Sequence, residues 1–276
     1  MPSFVKSALA VLAVVSTLVS PPTPSAAETL RINGTGAGLV ALRPLVAAFE
    51  KENRGVVVDM EKSLGSSAAI KALSRNALDL AVSGRPLKPA ESAEGLVQQQ
   101  WGRAPFAVLA NRQVRVTGVS LNELAGMYGT SSARWPGGEL VRVVLRPNED
   151  VDTKLTRSMS PEMDRGMSAA QTRKDMLLGI TDDEAFELVK KTEGAVAVMA
   201  LSLPLSQPNA VAVLKLGGVQ PSVANVASGK YRFVKEMHLV TRKDASSTVA
   251  RFIKFLDSKK GRAIAAKHGV LVTGVK

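Results

Sequence analysis

Arg146 opens the stretch RPNEDVDTKL, residues 146–155, and three acids, Glu149, Asp150 and Asp152, follow it closely. A guanidinium just ahead of a helix start suits capture of an oxyanion, because its fixed N–H fork and the unpaired amides of a first helical turn can share the anion's oxygens. The acids argue the other way. An ionised carboxylate cannot donate a hydrogen bond; it accepts the helix amides itself and is favoured there by the helix dipole. Two like charges about 4 Å apart repel by roughly 4 kcal/mol at an effective dielectric near 20. One reading is that Arg146 anchors an acidic group while Asp150 and Asp152 turn away fully ionised phosphate, so that a protonated oxyanion or a ligand with a hydroxyl or cationic group fits better. The other is structural: Asp152 caps the helix of DTKLTRSM, Asp150 points to solvent, and Arg146 is a surface residue paired to Glu149, an interaction worth little when exposed.

Small and hydroxyl-bearing residues recur in three other places: GTGAG at 34–38, GSS at 65–67 and SGR at 83–85. Each follows an apolar, β-branched run, namely TLRIN, VVVDM and LDLAVS. The first two also precede a helical pattern, through Leu45, Val46 and Phe49 and through Ala69, Ile70 and Leu73. Pro44 is placed in the first turn of the first of these helices, where its missing N–H costs nothing. Strands alternating with helices imply a parallel sheet with right-handed crossovers. Ligands of open α/β sheets bind at the strand-to-helix edge, where helix N-termini present unpaired amides. Residues 35–38, Ser66 with Ser67, and 83–85 are therefore expected to converge on one crevice.

Competing chemistries fail on spacing. GTGAGL is not a dinucleotide fingerprint, since the third glycine should fall at position 39, which is leucine. His238 and His268 are isolated and make neither a metal site nor a triad. LAVSGR lacks the first glycine of a nucleophile elbow. Asp150 and Asp152, neighbours on one turn, cannot flank a substrate as an acid/base pair does. Neither catalysis nor a cofactor nor a metal is indicated.

Further strands are read in APFAVLANR, LVRVVLR, GAVAVMAL, AVAVLKL and FVKEMHLVTR. Helices are read in LNELAGMYG, in TDDEAFELVKK with Thr181 as N-cap and Glu184 as its capping-box partner, and in one final helix, STVARFIKFLDSKKGRAIAAKHG.

The chain has 276 residues, a net charge of +12 and no cysteine. Its first 27 residues carry Lys6, an apolar run of about a dozen residues and a small-residue end at Ser25-Ala26-Ala27, the pattern of a cleaved secretory signal; the run is too short to span a bilayer. Export without disulfides fits a bacterial periplasm, with stability drawn from packing. The excess of cations favours acidic partners. Nucleic acid is not expected, because the densest cluster (Lys254, Lys259, Lys260, Arg262 and Lys267) lacks interleaved aromatics and reads as a solvated helix face. Stable membrane insertion is not expected either.

From 34–38 through GSSAAIKAL, LDLAVSGRPLKPAE, LNELAGMYG with Trp135, the strand ending in Arg146, GAVAVM, GGVQPSVANVASGKYRF and RFIKFLDSKKGRAIAAKHGVL, the chain resembles the phosphate-binding class of periplasmic solute-binding proteins, receptors of ABC importers. The resemblance implies an α/β, two-lobed type II periplasmic-binding fold. Each lobe would be a mostly parallel sheet flanked by helices, lobe one as residues 28–105 plus 232–276 and lobe two as 106–231. The strands APFAVLAN and YRFVKEMHL would cross between them, and the lobes would close about a hinge on a ligand in the cleft. It implies a monomer, an ABC permease as partner and a small anion, phosphate or a related oxyanion or acid, as ligand. Among site residues, Ser66 (with Ser67 beside it), Ser83 and Arg146 match the family pattern, and Arg85 matches many relatives. In the first loop, candidate residues Thr35, Gly36 and Ala37, Gly36 stands where the family carries a hydroxyl, so Thr35 substitutes only if the register shifts by one. Asp150, Val151 and Asp152 replace the expected Ser-Gly-Thr. That departure leaves a second reading open, a binding fold retired from transport and serving as an envelope interaction or sensing module.

Overall fold

The computed structural model describes residues 27–274 except 175. The expected leader thus lies, but for Ala27, outside the described residues. The chain opens with β1 (Glu28–Gly34), α1 (Gly36–Glu52), β2 (Val56–Asp59), α2 (Gly65–Ser74) and β3 (Leu80–Ser83), followed by a short helix α3 (Pro89–Ala93). Strand β4 (Leu96–Asn111) leads to β5 (Gly118–Val119), α4 (Leu121–Gly129), β6 (Arg142–Leu145), α5 (Val151–Ser158), α6 (Pro161–Thr172), β7 (Leu177–Leu178) and α7 (Asp182–Lys191). The rest comprises β8 (Ala195–Ala200), α8 (Ser202–Ser206), β9 (Val211–Leu216), α9 (Val223–Ala227), β10 (Val234–Arg242), α10 (Ser247–Asp257), α11 (Lys259–Lys267) and β11 (Leu271–Val272).

One mixed sheet runs in the order β2-β1-β3-β10-β4-β8-β6-β7, with β9 and β11 on β4 and β5 on β9. Its flanks are parallel, as the βαβ units require, but β4 and β10 run antiparallel to their neighbours. Strand β4 unites the halves of this two-lobed fold. Its first part pairs with β10 from Leu96 to Pro105, and its second pairs with β8 from Phe106 to Ala110. The segment entering β10 crosses beside it, where the Tyr231 hydroxyl donates to the Phe106 carbonyl at 2.8 Å.

Helix α1 is the hub of the core. Leu39, Leu42, Leu45 and Phe49 are essentially inaccessible and pack with Leu30 and Val82 of the sheet, with Phe186 of α7 and with Leu203 of α8. Full burial of each such side chain is worth about 1.5–3 kcal/mol, so this apolar seam joins elements from both halves. A second core gathers Phe106, Tyr128, Trp135, Val143 and Met163 on the far side of β4.

Three local expectations are corrected. Because GTGAG is itself helical from Gly36, Pro44 lies inside α1 rather than in its first turn. Helix α5 starts at Val151, with Asp150 rather than Asp152 as N-cap. The final helix is two: Ser258, extended at ψ 159°, ends α10 and caps α11 by accepting from the Gly261 amide. Two of the basic residues there form solvent-side pairs, Lys260 with Glu52 and Arg262 with Asp257.

Candidate functional site

Thr35 is the N-cap of α1, yet its side chain makes no capping bond. Its hydroxyl instead donates to Asp182 Oδ2 at 2.7 Å, and the Ala37 amide donates to the same oxygen at 2.9 Å. The other oxygen, Oδ1, faces two cations, Lys235 Nζ at 3.5 Å and Arg146 Nη2 at 3.8 Å. Asp182 is held there by its own helix. Thr181 caps α7 through the Glu184 amide, Glu184 reaches back, and the carboxylate projects from the first helical position. It is 2% exposed. Close approach demands glycine next to it, since a Cβ on Gly36 would stand 2.9 Å from Asp182 Cβ.

Lys235 enters from β10, whose alternation places it on the buried face with Met237 and Leu239. Its stem passes over Gly84, where a Cβ would come within 2.8 Å of Lys235 Cε. Nζ ends 2.6 Å from Asp152 Oδ1. The other carboxylate oxygen, Asp152 Oδ2, is buried with no hydrogen-bond partner among the described residues. Arg146 closes the cluster. It donates to Asp150 Oδ2 at 2.8 Å and to the Gly179 carbonyl at 2.9 Å. Asp150 Oδ1 meanwhile accepts the Asp152 amide at 2.8 Å, the N-cap bond of α5.

The electrostatics of the three buried groups diverge. For Asp182, burial alone would raise the pKa, but Lys235, Arg146, the Thr35 hydroxyl and the Ala37 amide outweigh it and hold the carboxyl well below the usual range. For Asp152, burial prevails over Lys235, and with Asp182 and Asp150 nearby the pKa rises to about 7. For Lys235, burial opposes the charge, but Asp152, Asp182 and Asp150 push the pKa above the ordinary lysine value. Asp182 has the larger claim on the cations because it meets both of them and also receives two hydrogen bonds. The cluster is neutral when Asp152 carries a proton and carries one negative charge when it does not.

The sequence-expected residues sort into two groups. Thr35, Ser66, Ser67, Arg85, Arg146 and Asp150 line one cavity of about 300 Å³, together with Asp182 and Lys235. Gly36, Ala37, Ser83 and Asp152 do not line it and are buried behind its wall. The Ser83 hydroxyl donates to the Arg85 carbonyl at 2.6 Å and accepts its amide. Arg85 is engaged by Glu91 through two bonds of 2.7 and 2.8 Å, and also donates to Ser67 Oγ. The Ser66 hydroxyl accepts the Gly84 amide at 3.0 Å. Helix α2 starts after Leu64, which supplies no side-chain cap; Ser63 Oγ accepts the Gly65 amide at 3.2 Å, the Ser66 and Ser67 amides have no side-chain partner among the described residues, and 65–68 face the cavity. First-turn amides without a side-chain partner are the usual place for an anion.

Two structural expectations for the loop are overturned. Arg146 is not a surface residue paired to Glu149; it is 10% exposed and paired to Asp150, while Glu149 pairs with Lys154 in solvent. Asp150 does not point to solvent, because capping and the ion pair hold both of its oxygens. Two residues of the cluster, Asp182 and Lys235, escaped the sequence reading. Asp182 was hidden in the capping box TDDE. The trace of Lys235 was its parity: in VKEMHLV it shares a face with Met237 and Leu239, and a cation on a buried face requires a partner.

No helix among the described residues is long and apolar enough to cross a membrane. Among them no group of three or more His, Cys, Asp or Glu is placed to hold a metal.

Comparison with known proteins places this geometry. The chain is 25% identical over 236 residues to the phosphate-binding protein PstS of Bacillus subtilis, a match covering 82% of this chain and 75% of that one. A putative phosphate ABC transporter substrate-binding protein from Clostridium perfringens, solved with bound phosphate, superposes with a TM-score of 0.76 at 19% identity, covering 90% of this chain and all of that one. An ABC-type phosphate transport receptor from Vibrio cholerae gives 0.61 at 19% identity, over 89% of this chain and all of that one. These likenesses show the fold. The PBP superfamily domain model matches residues 19–260, and the chain belongs to that superfamily.

Proposed function

We propose that this protein is an exported, non-enzymatic substrate-binding protein of an ABC importer that takes a small oxyanion or acid in the cavity between α2 and Arg146. The observation that carries the reading is the first turn of α2, whose Ser66 and Ser67 amides have no side-chain partner among the described residues, facing a cavity of about 300 Å³ whose walls also hold Arg146 and Lys235. Such a volume is at the small end of ligand pockets and suits an inorganic anion or a short acid. The phosphate named for its relatives in Bacillus subtilis and Clostridium perfringens is the first candidate. The domain limits and the periplasmic address expected from the sequence belong to the same proposal. Calorimetry with phosphate, sulfate, molybdate and small organic acids from pH 5 to 8 tests it. Binding of one of them supports the receptor reading, and failure of all of them removes it.

A second reading is favoured by a different observation. The N-terminus of α1 already holds a carboxylate, and the surrounding cluster is neutral without any external anion when Asp152 is protonated. A fold balanced in this way can serve as an envelope interaction or sensing module. Retention on an envelope protein by a wild type that binds no acid would favour this second role.

A further inference from the structure

We propose that Asp182 is a tethered occupant of the α1 anion seat, the carboxylate that an incoming oxyanion must displace, and so the residue that sets the affinity of the cleft. The inference rests on the binding reading above and concerns how that site is regulated from within. Its ground is the convergence of oxyanion-recognising donors on one side chain. A hydroxyl and a helix-terminal amide share Oδ2, while an ammonium and a guanidinium face Oδ1. These are the donor types that bind a free carboxylate or phosphate, and here the chain supplies the anion itself.

Three features show a fitted seat rather than a chance contact. Gly36 leaves no room for a Cβ beside Asp182. The backbone of Asp182 is fixed by a complete capping box. Asp182 also arrives from α7, on the β6–β8 side of the sheet, whereas Thr35 and Ala37 belong to α1, on the β1–β3 side, so the same bonds that fill the seat hold the two halves together.

The thermodynamic consequence is direct. A ligand that needs the seat vacated meets an apparent Kd raised by the inverse of the fraction in which Asp182 has left it. A tethered group, moreover, competes at a high effective concentration that dilution does not reduce. Removing the carboxylate leaves the Thr35 hydroxyl, the Ala37 amide, Lys235 and Arg146 without their shared anion, and a small free anion should then enter.

The test is calorimetric titration of inorganic phosphate into the wild type, Asp182→Ala and Asp182→Asn, with thermal melts in acetate as a fold check on each variant. At least tenfold tighter phosphate binding in Asp182→Ala, or in Asp182→Asn should the alanine variant fail to fold, is the expected result. Equal affinity of variant and wild type, whether both bind or neither does, overturns the proposal. The outcomes separate from those of the receptor reading. A wild type that binds no acid beside a variant that binds phosphate sinks the receptor reading and keeps this one; a wild type that binds phosphate as tightly as the variant does the reverse.

Discussion

Asp150 Oδ2 lies 2.8 Å from Arg146 Nη2, four residues away, while its other oxygen caps α5. The acid expected to repel an anion from this loop instead holds the guanidinium itself. A ligand acid must share Arg146 with Asp150 or replace it.

That sharing makes Arg146→Ala informative. An acidic ligand loses its fixed cation, and affinity should fall at least a hundredfold by calorimetry, in keeping with the few kcal/mol lost when a charge-assisted hydrogen bond is removed from a buried anion. Unchanged affinity would mean that the ligand is anchored elsewhere, for instance at α2 alone.

Asp150→Ser separates the two duties of the residue. Serine keeps the cap, so urea midpoints should move little, whereas Asp150→Ala should cost about 1 kcal/mol. With Arg146 released from its ion pair, phosphate should bind more tightly to Asp150→Ser than to the wild type. No gain would show that the guanidinium is not limiting.

Lys235→Met should destabilise the fold by about 3–5 kcal/mol, the cost of breaking a buried ion pair and leaving its partners uncompensated. The effect is read from urea unfolding. Lys235→Met with Asp152→Asn should recover part of the loss, since one stranded carboxylate is then removed. A single variant as stable as the wild type would contradict the burial of Lys235 between Asp152 and Asp182.

Stability should depend on pH through two opposed carboxyls. Asp152 is raised in the folded state to about 7. The folded protein therefore keeps a proton that the unfolded chain gives up near the ordinary aspartate value, and stability declines as pH rises from about 4 toward 7. Asp182 is depressed, so its contribution is present above the ordinary value and is lost as pH falls below it. Melting temperature should thus peak on the acid side of neutrality, and Asp152→Asn should flatten the decline toward pH 7. A wild-type profile that rises steadily from pH 4 to 7 would contradict the raised Asp152.

The strand and helix succession was legible because the apolar runs are β-branched and the loops rich in glycine and serine. Thr181 with Glu184 announced α7 by a local rule that tertiary contacts did not override. Helix starts were less legible where long-range contacts decide them. Gly36 begins α1 where Asp182, distant in sequence, accepts the Ala37 amide, so Pro44 is left inside the helix. The cavity-lining residues Ser66, Arg85 and Arg146 were legible from loop position together with the family resemblance. The cluster that governs them was not, since Asp182 and Lys235 have no motif between them and meet only when α7 and β10 are brought together across α1.

The most direct measurement is a high-resolution crystal structure of the wild type grown without phosphate and then soaked in it. The account predicts that before soaking Asp182 Oδ2 receives hydrogen bonds from the Thr35 hydroxyl and the Ala37 amide, and that any phosphate bound there afterwards has displaced that carboxylate. An Asp182 side chain turned out to solvent before soaking, or phosphate on the Ala37 amide with Asp182 unmoved, would contradict it.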